Sequence, residues 1–313
     1  MKFGLSGLMN DTRMLTRLVI AAGVVLLLII IGFGAYYYYD RYYSAQPTST
    51  QMTLTEAQQD LAVDPQNDAK RLALADTQLM NGLYDEAIQN ASQVAMRDSE
   101  NQDAWLLLGV GYSLKNQPAD AIEPLTKYVA ANRDSEMPGL NKRLQAAAYY
   151  LGEGYLKLGQ PEMAIEPLEL TIGWNRMDAD ALYQLGLAYS GVGRYEQAVT
   201  VLNQATIYVP DFLEAYQAMA EVTKLMNEPD YENYALGMVA YSQENYDKAV
   251  DTLLKVVQAR PDFVPAYAGL GLTYEAQGKL KEAKDSYDAA YKLDPNNFTA
   301  QNGSERVGIL LNK

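Results

Sequence analysis

Residues 179–212 read ADALYQLGLAYSGVGRYEQAVTVLNQATIYVPDF. Ala181, Leu182, Leu185, Gly186 and Tyr189 recur at steps of three and four, which places them on one face of a helix. Gly191-Val192-Gly193 breaks that helix. A second helix carries Ala198, Leu202 and Ala205 on one face, and Val209-Pro210-Asp211 ends it, because proline cannot continue a helix. Gly186 and Ala198 leave room for the two helices to approach. Leu202 and Tyr189 fill the space beside them.

The phrase recurs on both sides. Ala87 and Ala121 are 34 residues apart, as are Ala164 and Ala198, and Ala249 and Ala283. The pairs Leu151-Gly152 and Leu185-Gly186 keep the same interval, and so do Leu236-Gly237 and Leu270-Gly271. A period of this length marks a stack of similar units, each burying its apolar face on its neighbours. Six units follow: 68–101, 102–135, 145–178, 179–212, 230–263 and 264–297.

The pattern resembles the tetratricopeptide repeat, a helix–turn–helix of 34 residues. Trp105, Leu108-Gly109, Tyr112, Ala121 and Leu125 fit it in one unit; Leu151-Gly152, Tyr155, Gly159, Ala164 and Leu168 fit it in the next. Tyr267, Leu270-Gly271, Tyr274, Gly278, Ala283, Tyr287, Ala290 and Pro295 fit it best. The expected fold class is therefore all-α: an α-solenoid of about six such units behind a single N-terminal transmembrane helix.

Two intervals depart from the period. Gly109 to Gly152 is 43 residues, and the surplus falls near 135–144, where Met137-Pro138-Gly139 signals a loop. Gly186 to Gly237 is 51 residues, a surplus of one helix, which the pattern places at 213–226, ended by Asn227-Glu228-Pro229-Asp230. An unpaired helix there would kink the stack at 213–229 and divide it into blocks at 68–212 (four units) and 230–297 (two units). Residues 54–67 and 298–313 read as capping helices, which terminal repeats need because they lack a neighbour.

Residues 18–35 contain no charged side chain, and Tyr36, Tyr37, Tyr38 and Tyr39 extend the apolar run to 39. That length spans a hydrocarbon core of roughly 30 Å at about 1.5 Å per residue. Tyr42 and Tyr43 complete a cluster suited to the membrane–water boundary. A cleaved leader is the competing reading, but its apolar stretch is shorter and ends at small residues; an uncleaved signal anchor fits better. Lys2, Arg13 and Arg17 precede the span and Arg41 follows it. The positive-inside rule then makes residues 1–17 a short cytoplasmic N-terminus and puts the repeats in the periplasm, or outside the plasma membrane. A eukaryotic organelle anchor with cytosolic repeats stays open. Residues 40–53 read as a polar linker.

Composition filters the chemistry. The net charge is −14, and because residues 1–40 are net positive by one the remainder carries −15, so nucleic acid and anionic lipid surfaces are poor partners for the body. The chain has no cysteine and no histidine. Disulfides, thiolate nucleophiles, CxxCH haem attachment, the usual triads and nearly all zinc sites are thereby removed. Asp85, Glu86, Glu196 and Asp247 recur at the starts of second helices, where a negative charge favours the helix dipole. No enzyme activity, metal or cofactor is expected.

The resemblance implies partner binding on a concave face built by the first helix of each unit. The positions it assigns to that face include Asp76, Asp103, Tyr149, Tyr150, Glu153, Tyr183, Tyr231, Tyr234, Met238 and Tyr241. One subclass of the family clamps a chaperone's C-terminal carboxylate with basic residues there; the matching positions here hold none. The groove is instead aromatic, apolar and mildly acidic, which suits a peptide or helix of another subunit with apolar anchors and Lys or Arg. The implied function is a tethered protein–protein interaction scaffold or assembly factor for an extracytoplasmic complex. A permanent subunit of a membrane complex docked through the span, and a chaperone-like factor for translocated clients, are the alternatives. The chain as a whole resembles anchored bacterial repeat proteins that assist translocation, envelope assembly or maturation of membrane complexes.

Overall fold

The computed structural model describes residues 49–312, with side chains from 53 onward, and the isolated Gly23. The expected span at 18–39 lies outside the described stretch. Among the described residues no helix is long and apolar enough to cross a membrane.

Between 49 and 312 the chain is all α-helix and turn. The helices are α1 (Ser49–Val63), α2 (Asp68–Met80), α3 (Tyr84–Arg97), α4 (Gln102–Leu114), α5 (Pro118–Asn132), α6 (Lys142–Lys157), α7 (Pro161–Trp174) and α8 (Ala179–Gly191). They continue as α9 (Tyr195–Tyr208), α10 (Leu213–Leu225), α11 (Pro229–Ser242), α12 (Tyr246–Ala259), α13 (Val264–Ala276), α14 (Leu280–Leu293) and α15 (Phe298–Leu311). Helix α1 begins at Ser49, so the end of the stretch read as linker is helical.

Two kinds of turn recur along the repeats, one built on the orphan carbonyls of a helix end and one on the orphan amides of a helix start. Where a first helix ends, one residue takes a left-handed conformation: Gly82, Asn116, Gly159, Gly193, Asn227, Glu244 and Gly278 all have φ between 56° and 78°. The amide that follows then reaches back five residues, as Arg194 N–H donates to the Tyr189 carbonyl at 2.8 Å and Asn245 N–H to the Ala240 carbonyl at 2.9 Å. This closure satisfies carbonyls that a helix end leaves orphaned. Where a second helix hands over to a first helix, the side chains of Asn67, Asn101, Asn141, Asp178 and Asn297 each accept a backbone N–H of the new first turn. Phe212 and Phe263 stand at that position before α10 and α13, and pack instead against Tyr183 and Tyr231 at ring-centre distances of 5.3 and 4.6 Å.

Each helix pair closes on the small residues read from the pattern. Ala181, Leu182, Leu185, Gly186 and Tyr189 of α8 are buried, as are Ala198, Leu202 and Ala205 of α9. First helices also touch the next first helix, in the order α2, α4, α6, α8, α10 and then α11, α13, α15.

The surplus helix behaves differently from expectation. α10 is not unpaired: it occupies the next first-helix place beside α8 and forms a hairpin with α11. α11 then forms a second hairpin with α12 and serves as first helix toward α13. The reason is visible in the turns, since Asn227 and Glu244 are two consecutive left-handed closures with no capping turn between them. One continuous apolar core runs through the region from Ala164 to Leu270, including Met219, Tyr234, Met238 and Leu253.

The other surplus is shared between a longer α5, an early start of α6 at Lys142 and a short 3-10 turn at Pro138–Leu140. Gln145 Nε2 donates to the Gly139 carbonyl at 2.6 Å and fastens that turn to α6. At the far end α15 covers α13 and α14, burying Ala300, Gly303 and Val307.

Candidate functional site

The first helices α2, α4, α6 and α8 share a face that carries two hollows. The larger, about 490 Å³, is lined by Asp68, Ala69, Leu72, Ala73, Asp76 and Thr77 of α2, by Asn101, Asp103 and Leu107 of the α4 segment, and by Arg143 of α6. Leu72 and Leu107 are buried, while the carboxylates of Asp76 and Asp103 are reachable from solvent. The Arg143 guanidinium reaches across two helices and donates to Asp76 at 3.2 Å and to Asp103 at 3.3 Å.

The second hollow, about 300 Å³, is lined by Lys142, Gln145, Ala146, Tyr149 and Tyr150 of α6, with Asp178 and Asp180 at the start of α8. Lys142 lines this hollow and its neighbour Arg143 the first, so the two meet at the first turn of α6. Tyr149 and Tyr150 meet edge to face, with ring centres 5.5 Å apart. Burial, with Glu153 and Asp180 nearby, pushes the Tyr149 hydroxyl up to about 12, so it is a neutral donor near neutral pH. Glu153 pairs with Lys157 one turn along at 3.1 Å.

The expected site residues therefore divide. Asp76 and Asp103 share the first hollow, and Tyr149 and Tyr150 line the second. Glu153 and Tyr183 are partly exposed on the same row of helices. Tyr183 leans on Phe212, and its hydroxyl is raised by burial and by Glu214 and Glu221. Tyr231 is partly exposed but committed to Phe263 and to Arg260, whose guanidinium stands 6.0 Å from its ring centre. Tyr241 is partly exposed beside Tyr246, with ring centres 6.0 Å apart.

Tyr234 and Met238 need correction. Tyr234 is 6% exposed and Met238 is 0% exposed. Tyr234 packs edge to face with Tyr216 of α10, with ring centres 6.4 Å apart. A helix with hairpin partners on both flanks turns toward the core residues that an ordinary first helix would present outward.

Sequence reasoning missed Lys142 and Arg143. Their signal is two cations in the first turn of α6, a turn without an acidic residue, where the helix dipole disfavours positive charge. The first helices α2, α4, α8 and α10 place Asp68, Asp103, Asp180 and Glu214 there, whereas α13 and α15 carry neither an acid nor a cation in that turn.

Models of the tetratricopeptide repeat match residues 72–136, 179–206 and 234–298. The chain is 31% identical over 123 residues to the cytochrome c-type biogenesis protein CcmH of Escherichia coli (strain K12), covering 39% of this chain and 30% of that protein. It is 28% identical over 136 residues to the type IV pilus assembly protein PilF of Pseudomonas aeruginosa, covering 37% of this chain and 54% of that protein. It is 30% identical over 143 residues to the human protein O-mannosyl-transferase TMTC1, covering 39% of this chain and 16% of that one. The aligned segments thus span 16% to 54% of these relatives. A solved MamA double mutant superposes with a TM-score of 0.50 at 19% identity, covering 58% of this chain and 97% of that chain, which is a likeness of fold.

Proposed function

The chain belongs to the tetratricopeptide repeat family, and from that premise we propose that it is a protein-binding scaffold or assembly factor rather than an enzyme. The observation that carries this reading is the row of first helices with its two adjoining hollows. Such a face offers carboxylates, half-buried tyrosine rings and an aliphatic floor together. Rigid aromatic surface gives contact area at low entropy cost, and acidic groups select a partner segment bearing Lys or Arg. Relatives named for cytochrome biogenesis and pilus assembly support an assembly role.

The proposal extends to place. The apolar run at 18–39 anchors the chain in a plasma membrane, with the repeats on the far side from the basic N-terminus. A permanent subunit, docked through that run, is the second reading, and Gly23, Gly32 and Gly34, small residues at which another membrane helix can approach, are what favour it.

The test is a mild-detergent pull-down of the full chain beside a version starting at Ser44, with Tyr149→Ala/Tyr183→Ala as a third bait. A partner set kept without the anchor and weakened in the tyrosine variant supports the scaffold. A set lost with the anchor supports the subunit. Capture unchanged by the tyrosine substitutions counts against this face.

A further inference from the structure

We propose that Arg143 is a displaceable occupant of the first hollow, standing where an arginine or lysine side chain of a partner segment binds. The inference rests on the binding role proposed above and specifies what this part of the face recognises.

The bonds of Arg143 are those of a placeholder. Its guanidinium makes one contact to each of two carboxylates on different helices, at 3.2 and 3.3 Å, and its side chain is 53% exposed. A guanidinium that suits its site makes a two-pronged bond at about 2.7–2.9 Å. Arg306 in this same chain does so, meeting both oxygens of Glu275 at 2.7 Å. Arg143 is stretched between Asp76 and Asp103 and satisfies neither in that way.

Its own helix does not favour it either. Arg143 sits in the first turn of α6, where the dipole opposes a cation. Releasing it to water therefore costs little, on the scale of an exposed ion pair.

The hollow behind it matches a cationic side chain that enters from solvent. Leu72 and Leu107 form an apolar floor on which a methylene stem lies, while Asp76 and Asp103 take the charged head. An incoming arginine approaches from solvent, free of the geometry that holds Arg143 across two helices, and can make the two-pronged bond that Arg143 does not. The overall charge of −14 draws such a segment in.

The probe is the tripeptide Leu-Arg-Leu blocked at both ends, compared with its neutral citrulline counterpart, titrated calorimetrically into the full chain at low salt. The Arg143→Gln chain is expected to bind the arginine peptide about two- to fivefold more tightly than the unaltered chain, the range of an exposed ion pair. The citrulline peptide is expected to gain nothing. The Asp76→Asn/Asp103→Asn chain is expected to lose discrimination between the two peptides. Equal or weaker binding by the Arg143→Gln chain overturns the proposal, as does failure of that chain to prefer arginine over citrulline. If the double Asn variant melts early, the Arg143→Gln comparison decides alone. An Arg143→Gln chain that still captures its partners yet treats the two peptides alike overturns this proposal and leaves the scaffold reading standing.

Discussion

A Cβ placed on Gly186 of α8 would stand 2.6 Å from Cγ of Leu202 on α9. The same relation joins Gly109 to Leu125, Gly152 to Leu168 and Gly271 to Tyr287. The glycine of each of these Leu-Gly pairs is thus a contact point at which one helix accepts a fully buried side chain of its partner. Gly186→Ala is expected to destabilise the fold by about 1–3 kcal/mol, because the branch point of a fully buried leucine has nowhere to move. Thermal unfolding followed by circular dichroism checks this; an unchanged midpoint would mean that the pair separates freely.

Glu244 closes α11 with φ at +59°, a conformation glycine adopts without steric cost. Four equivalent turns use glycine: Gly82, Gly159, Gly193 and Gly278. Glu244→Gly is expected to raise stability by about 1 kcal/mol, since a side chain in the left-handed region costs about that much. A midpoint rise of a few degrees would agree, whereas a fall would show that the Glu244 side chain makes a compensating contact.

Glu275 supports a pH prediction. Burial alone would raise its carboxyl, but hydrogen bonds from Arg306 and from Tyr287, together with the Arg306 charge, hold it below the usual carboxylate range. A depressed folded value adds stability that is present above the unfolded value of about 4.3. That stability disappears as pH falls through the lower folded value. Docking of α15 on α13 is therefore expected to loosen in acid below about pH 4. Amide exchange of α15 in the wild-type chain and in Glu275→Gln checks this: the variant is expected to be looser at neutral pH and to lose the acid step.

Two tyrosines assigned alike from the sequence are expected to respond differently. Tyr234→Ala removes a ring sealed between α10, α11 and α13 and is expected to cost about 3 kcal/mol or more. Tyr149→Ala removes a half-buried ring at the hollow and is expected to cost about 1 kcal/mol while weakening partner capture. Equal losses of stability in the two variants would contradict the division between core and surface.

The Asn101 side chain accepts the Ala104 amide at 3.0 Å at the start of α4. Asn101→Ala is expected to cost about 1 kcal/mol, the usual worth of such a cap, and to increase exchange of the first amides of α4 before those of α5. Exchange rising equally in both helices would show that the pair opens as a unit.

The 34-residue spacing is enough to specify the helical pairs, their turns and the small-against-large packing, because all three are local consequences of the residues that terminate a helix or fit between two helices. Gly193 and Asp178 announce a turn and a cap wherever they stand. The acidic and aromatic character of the first-helix face was legible for the same reason: at Asp76, Asp103, Tyr149 and Tyr150 each first helix has the usual neighbours. The arrangement at α10 and α11 is set by packing between units. The sequence shows a surplus of one helix, but which helix gains a second hairpin partner depends on what packs beside it, and that choice buries Tyr234 and Met238. The contact of Arg143 with Asp76, 67 positions away, was likewise invisible in the pattern. Periodicity records how each segment meets its sequence neighbours, whereas this pair meets only after the intervening unit, α4 and α5, has stacked.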